Sequence, residues 1–222
     1  MNRYLSTLLL TAALTLPALA GVQERETADI KTGTTSITFG GTLATALDTA
    51  DVVFQKAQPA RINPGKGSVT YVASGGAIDL INAKTEIVHS GGITLAKEIV
   101  PPAIAPSAPK APKQYKTATI LDPIIVLSEV GAVTPVAKIS AIVVVNGVSL
   151  GRLDVFTIDG TVFETAPLGV PKNKKITASD LSLKLTAEAA DALDAALGLD
   201  LFDNTTVVGT AEIDVKLASS NL

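Results

Sequence analysis

Apolar residues along this chain alternate with polar or small ones over short runs, and the runs are punctuated by glycine, asparagine and proline. Period-two alternation marks strands with one buried face. Ser36-Ile37-Thr38-Phe39 predicts a first strand and Val52-Val53-Phe54 a second. Val69–Tyr71 and Ile78–Leu80 predict two more, and Ile93–Val100 another. Asn63-Pro64-Gly65-Lys66-Gly67 is a turn, and Gly75-Gly76 and Gly91-Gly92 are turns or bulges where φ is free to be positive.

The second half repeats the pattern. Ala118–Leu121 and Ile124–Leu127 flank Asp122-Pro123. The β-branched run Ile139–Val145 leads into Asn146-Gly147, a strong hairpin signal, and on into Val148–Phe156. Asp159-Gly160 is a second such turn, before Thr161–Phe163, and Pro167–Lys175 is a loop carrying Lys172, Lys174 and Lys175. Leu181, Leu183 and Leu185 alternate with Ser182 and Lys184, and Val207–Val215 closes the series.

Helical spacing occurs twice. Thr42 is placed to cap a short helix with Leu43, Ala46, Leu47 and Ala50 on one face. Thr186 caps the clearer one, Ala187–Leu197. Glu188 stands in its first turn, Ala189, Ala190, Leu193, Ala196 and Leu197 line its buried stripe, and Gly198 forms a left-handed end. Phe202 is expected to dock the loop that follows. Strands not separated by regular helices predict an all-β fold, an antiparallel β-sandwich or barrel-like sheet with one or two short α-helices.

Two segments break the pattern. Residues 1–20 read as a signal peptide, with Arg3 in the n-region, an apolar stretch from Leu5 to Leu16 and the small-x-small site Ala18-Leu19-Ala20. The mature chain then starts near Gly21, and no cysteine follows to carry a lipid. The apolar stretch is shorter than the roughly 20 residues a spanning helix needs, and no later segment reaches that length. A secreted, periplasmic or cell-surface location follows. The second segment, 101–113, holds Pro101, Pro102, Pro106, Pro109 and Pro112 among Ala, Ser and Lys. It predicts an extended proline-rich insertion within one domain, 21–222.

Composition narrows the chemistry. The 222 residues contain no cysteine and one histidine, so a disulfide framework, thiolate metal ligands and a thiol nucleophile are excluded. Lys and Arg number 18 against 21 Asp and Glu, and removing Arg3 leaves 17 − 21 = −4, a balance with no footprint for nucleic acid. His89 lies in Ile87-Val88-His89-Ser90-Gly91-Gly92, where Ser90 faces the other side of a strand, and no G-x-S-x-G elbow occurs. A superoxide dismutase-like metal site needs several imidazoles. Asp191, Asp194 and Asp200 read as a solvated face, and the scarcity of aromatics argues against a sugar-stacking cleft.

Two blocks resemble a module of secreted actinobacterial surface proteins. One is Gly76-Ala77-Ile78-Asp79 with the His89-Ser90-Gly91-Gly92 block, and the other is Leu185–Leu193 followed by Val208-Gly209-Thr210-Ala211, with Leu153–Asp159 in the place of the strand between. The same order of elements is similar to the haem-transport-associated domain called HtaA. That resemblance implies a β-rich surface domain and a haem ligand set of one tyrosine near the domain start with a supporting histidine. His89 is the position carried over for cofactor binding. The stretch Ile30–Ile62 has no tyrosine, and Tyr71 and Tyr115 are those of the mature chain.

The reading is a secreted, non-enzymatic cell-envelope module without a cofactor. Its partner is another envelope protein or a second copy, within a surface-layer or outer-envelope complex, and Pro101, Pro102, Pro106, Pro109 and Pro112 are the contact arm. A haem or other apolar ligand is the alternative, and an envelope metalloenzyme the third.

Overall fold

The computed structural model describes residues 27–79, 84–100, 112–127, 137–158 and 175–218. Strands β1 (Thr27–Phe39), β2 (Val52–Ala57), β3 (Arg61–Asn63), β4 (Ser68–Asp79), β5 (Lys84–Ser90), β6 (Gly92–Ile99), β7 (Gln114–Leu127), β8 (Ala137–Val145), β9 (Val148–Ile158), β10 (Lys175–Leu185) and β11 (Val207–Leu217) form one 11-stranded antiparallel sheet. Helix α1 spans Gly41–Thr49 and α2 spans Ala187–Leu197.

Eight strands close on themselves in the order β7-β5-β4-β1-β11-β10-β9-β8, and the β7–β8 pairing completes the ring. Of the two expected all-β architectures this is the barrel. An eight-stranded barrel has an interior just wide enough for side chains to fill. The buried positions suit that width: Ala28, Ala73, Ala137, Ala141 and Ala211 alternate with Ile30, Ile139, Val143, Ile213 and Val215. The leucine alternation of β10 works as the pattern demands, with Leu181, Leu183 and Leu185 all buried. Burying each contributes about 1.5–3 kcal/mol.

The sheet also leaves the barrel. The first half of β7 pairs with β6 and the second half with β5, while β8 runs beside both halves. A five-stranded extension β2-β6-β7-β8-β9 results, with α2 lying against β7, β8 and β9. Phe39 and Phe54 stack at 5.4 Å where β1 meets β2.

Several local expectations change. Val69–Tyr71 and Ile78–Asp79 belong to a single strand, because Gly75-Gly76 makes a bulge within β4 rather than a turn. Asp122-Pro123 likewise interrupts register inside β7 without ending it. Helix α1 starts from Gly40 without a side-chain cap, and Thr42 lies exposed in its first turn. Thr186 does cap α2, accepting from the Ala189 amide at 3.2 Å while donating to the Asp154 carbonyl at 2.5 Å. Asp194 is more than a solvated residue: its carboxylate accepts the amides of Leu201 and Phe202 and holds the loop that brings Phe202 into the core. Asn146 (φ 49) and Gly147 (φ 84) form the hairpin turn with both central residues left-handed. The Asn146 side chain accepts the Thr117 amide at 2.8 Å. Residues 1–20, read from the sequence as a signal peptide, together with Leu80, Asp159–Phe163, the basic loop as far as Lys174, and Pro101, Pro102, Pro106 and Pro109, lie outside the described residues. Pro112 is exposed just ahead of β7.

Candidate functional site

His89 is the second-last residue of β5, and the alternation of that strand turns it inward with Ile87 and Thr85. It is 2% exposed. Its Nδ1 lies 3.1 Å from the carbonyl oxygen of Pro123, and its Nε2 lies 2.8 Å from Oγ1 of Thr35, itself buried on β1. A carbonyl can only accept, so Nδ1 carries the proton and Nε2 accepts from the Thr35 hydroxyl. Burial pushes the imidazole down to about 4 despite the hydrogen bond to Pro123, and the ring is neutral at physiological pH.

The next three residues of the block form the corner between β5 and β6. Gly91 has φ +90, and a Cβ there would stand 2.5 Å from the Ala60 amide nitrogen. Its N–H donates to Oδ1 of Asp122 at 2.9 Å, and its carbonyl accepts the Asp122 N–H at 2.8 Å. Gly92 passes so close to β7 that a Cβ would meet the Ile120 carbonyl at 2.4 Å. The glycines are therefore backbone requirements. Histidine, glycine pair and Asp122-Pro123 together clamp the point where β7 passes from the extension into the barrel.

Tyr71, two positions along β4 from the residue opposite His89, sets its ring edge-on to the imidazole with centroids 6.5 Å apart. Burial raises its phenol above the ordinary range. Thr85 is buried, and its Oγ1 has no hydrogen-bond partner. The interior thus brings Thr35 and Tyr71 against His89, with Thr85 buried four residues earlier on β5. Only His89 was singled out from sequence; Thr35 and Tyr71 sit in ordinary alternating strands, and nothing local distinguishes them. Tyr115 is at the far end of β7, 42% exposed.

The hydrogen bonds tie His89 into the fold. Both imidazole nitrogens are engaged, and Ser90 lies on the opposite side of β5. Among the described residues no three His, Asp or Glu side chains converge as a metal-binding group. The described apolar cavity between barrel and helices, lined by residues such as Phe39, Leu47, Phe156 and Phe202, holds about 20 Å³, whereas ligand pockets run to roughly 300–1,000 Å³. With its Nδ1 and Nε2 both hydrogen-bonded, His89 has no ring nitrogen free to ligate a haem iron in this arrangement. No described helix is long and apolar enough to cross a membrane.

No family model and no curated protein matches the chain. Its fold is similar to the crystal structure of the C-terminal domain of HtaA from Corynebacterium glutamicum, with a TM-score of 0.60 over 86% of this chain and 99% of that one, at 13% identity. The barrel with its sheet extension is an HtaA-like fold. At that identity the likeness concerns the fold alone.

Proposed function

We propose that the protein is an exported, non-enzymatic module of the bacterial cell envelope that binds another envelope protein or a second copy of itself. The observation that carries this is the open edge of the sheet extension. In β9, Val148–Leu153 pairs with β8 on one side, and no described strand covers the other. Val148 is 65% exposed and Leu150 47%. Unpaired backbone beside exposed apolar side chains is a template for strand addition. The HtaA-like fold and the apolar segment Leu5–Leu16 behind Arg3 support a surface location, and the resemblance of the His89–Gly92 block to surface modules agrees with it. The commitment of His89 to the fold supports a binding role over an enzymatic one. The proline-rich stretch ending at Pro112 leads into β7 beside exposed Val100 and Tyr115 and serves as a second contact arm.

Sedimentation of the mature chain, with cell fractionation, tests the reading. The expected result is envelope association with a mature N-terminus near Gly21, together with self-association or a co-sedimenting envelope partner. Val148→Lys with Leu150→Lys, and separately deletion of 102–112, should weaken the association. A cytoplasmic chain with Met1 retained would overturn the location. Association unchanged in both variants would overturn the edge and the arm.

A further inference from the structure

The outer wall of the barrel carries a feature that neither the fold nor the sheet edge requires. Inward residues of β1, β4 and β11 (Thr35, Ile37, Tyr71, Ala73, Ile213, Val215) leave Thr34, Thr70, Val72, Asp214 and Lys216 pointing out. The register sets Thr32 opposite Lys216, Thr34 opposite both Asp214 and Val72, and Thr70 opposite Arg61 of β3. Strand β1 breaks register between Ile30 and Thr32. Such irregularities bend a strand, and here the wall holds a concavity of about 400 Å³ lined by Thr32, Thr34, Arg61, Thr70, Asp214 and Lys216, with Gly33 and Val72. That volume is in the range of small-ligand sites.

Its charge is unlike that of the rest of the chain. Lys175 of β10 stands directly opposite Lys216 in the β10–β11 register. Like charges at such positions are unfavourable. One carboxylate is present, Asp214, and it is held by Lys175 at 2.9 Å. Arg61 and Lys216 against Asp214 leave the lining at 2 − 1 = +1 on a chain whose net charge is −3. Glu212, one outward position further along β11, is not part of the lining. The hydroxyls of Thr32, Thr34 and Thr70 lie beside the cations and can donate to an oxyanion, Thr70 doing so while it accepts from Ser36 Oγ at 2.9 Å.

We propose that this groove binds a small oxyanion-bearing ligand, a carboxylate or phosphate on a polar scaffold, with Arg61 and Lys216 as its charge partners and Thr32, Thr34 and Thr70 as hydroxyl donors. The site is separate from the sheet edge assigned to a protein partner, and its test does not depend on that assignment.

The experiment is a titration of the ¹⁵N-labelled mature chain at low salt with citrate, inorganic phosphate and an oligogalacturonate, followed by amide shifts and calorimetry. Saturable one-to-one binding of at least one probe is expected, with shifts centred on residues 32–34, 70–72 and 214–216. The affinity should fall about tenfold or more in Arg61→Gln with Lys216→Gln and stay unchanged in Lys184→Gln. Both substituted side chains are exposed, and an unchanged spectrum away from the groove shows that the double variant is folded. The preferred probe separates free carboxylate, phosphate and acidic glycan as the source. No saturable binding of any of the three, shifts centred elsewhere, or full affinity in the folded double variant would each overturn the proposal.

Discussion

The imidazole of His89 on β5 donates from Nδ1 to the carbonyl oxygen of Pro123 in β7, 3.1 Å away. The bond joins two residues 34 apart in sequence across the seam where the sheet divides into barrel and extension. Proline suits the position because it has no N–H to lose from the ladder. Asp122 before it takes a positive φ of 46 and exchanges two hydrogen bonds with Gly91. His89, Gly91 and Gly92 from one segment and Asp122 and Pro123 from another thereby act as one clamp.

This clamp makes stability sensitive to acid. In the unfolded chain the imidazole titrates at its ordinary 6.5, and in the folded protein at about 4. Between those values the unfolded state binds a proton that the folded state refuses, so stability falls as pH drops from 6.5 to 4 and His89 adds no pH dependence above 6.5. The full loss is about 3 kcal/mol by the 1.36 kcal/mol carried per pH unit. Urea unfolding at pH 7.5, 5.5 and 4 checks this, with His89→Gln expected to be less stable at pH 7.5 and to have a flatter profile.

Thr35→Val should cost about 1–3 kcal/mol at neutral pH. The substitution preserves shape but leaves the buried Nε2 of His89 without its donor. Equal unfolding midpoints for wild type and variant would mean that the Thr35–His89 bond contributes nothing.

Gly91→Ala should destabilise more than Gly147→Ala. Both positions have positive φ, but a Cβ at Gly91 meets the backbone of Pro59 and Ala60, whereas at Gly147 it meets open space. Left-handed strain alone costs about 1 kcal/mol or more, and the clash adds to it. Thermal unfolding of the two variants side by side decides the order.

Thr186→Ala should cost about 0.5–2 kcal/mol through loss of the α2 cap. The value should fall toward the upper end, because the hydroxyl also satisfies the Asp154 carbonyl. Amide exchange should show the first turn of α2 opening before the barrel strands.

Hemin added to the purified protein is expected to produce no Soret band of one-to-one intensity. His89 is held at both nitrogens and Tyr71 is packed edge-on against it inside the barrel. A tight complex abolished by His89→Ala would make haem the ligand after all.

Local chemistry was legible wherever one residue and its near neighbours decide the outcome. The capped helix Ala187–Leu197, the Asn146-Gly147 hairpin, the β10 leucines and the all-β class all follow from period, caps and left-handed positions. Interruptions were harder to read. Gly75-Gly76 and Asp122-Pro123 carry the same signals whether a strand ends or bulges, because both need unusual φ or a missing donor. Partners on either side decide which occurs, and those partners lie far away in the chain. The same holds for Thr42 against Gly40, since the start of α1 is set by β1 running on to Phe39 and by the Gly40 amide bonding to Val208 of β11.

By itself, then, the sequence determined strand and helix chemistry, the apolar segment Leu5–Leu16, the absence of thiols and the single imidazole. Tertiary structure alone decided that the sheet closes as a barrel, because closure rests on β7 pairing with β8 on one side and with both β5 and β6 on the other. It also decided that Thr35, Tyr71 and Pro123 surround His89, and that Arg61 and Lys216 share one groove. Such groupings depend on register between strands distant in sequence, and a period of two records which face a residue takes but not which neighbour it meets there.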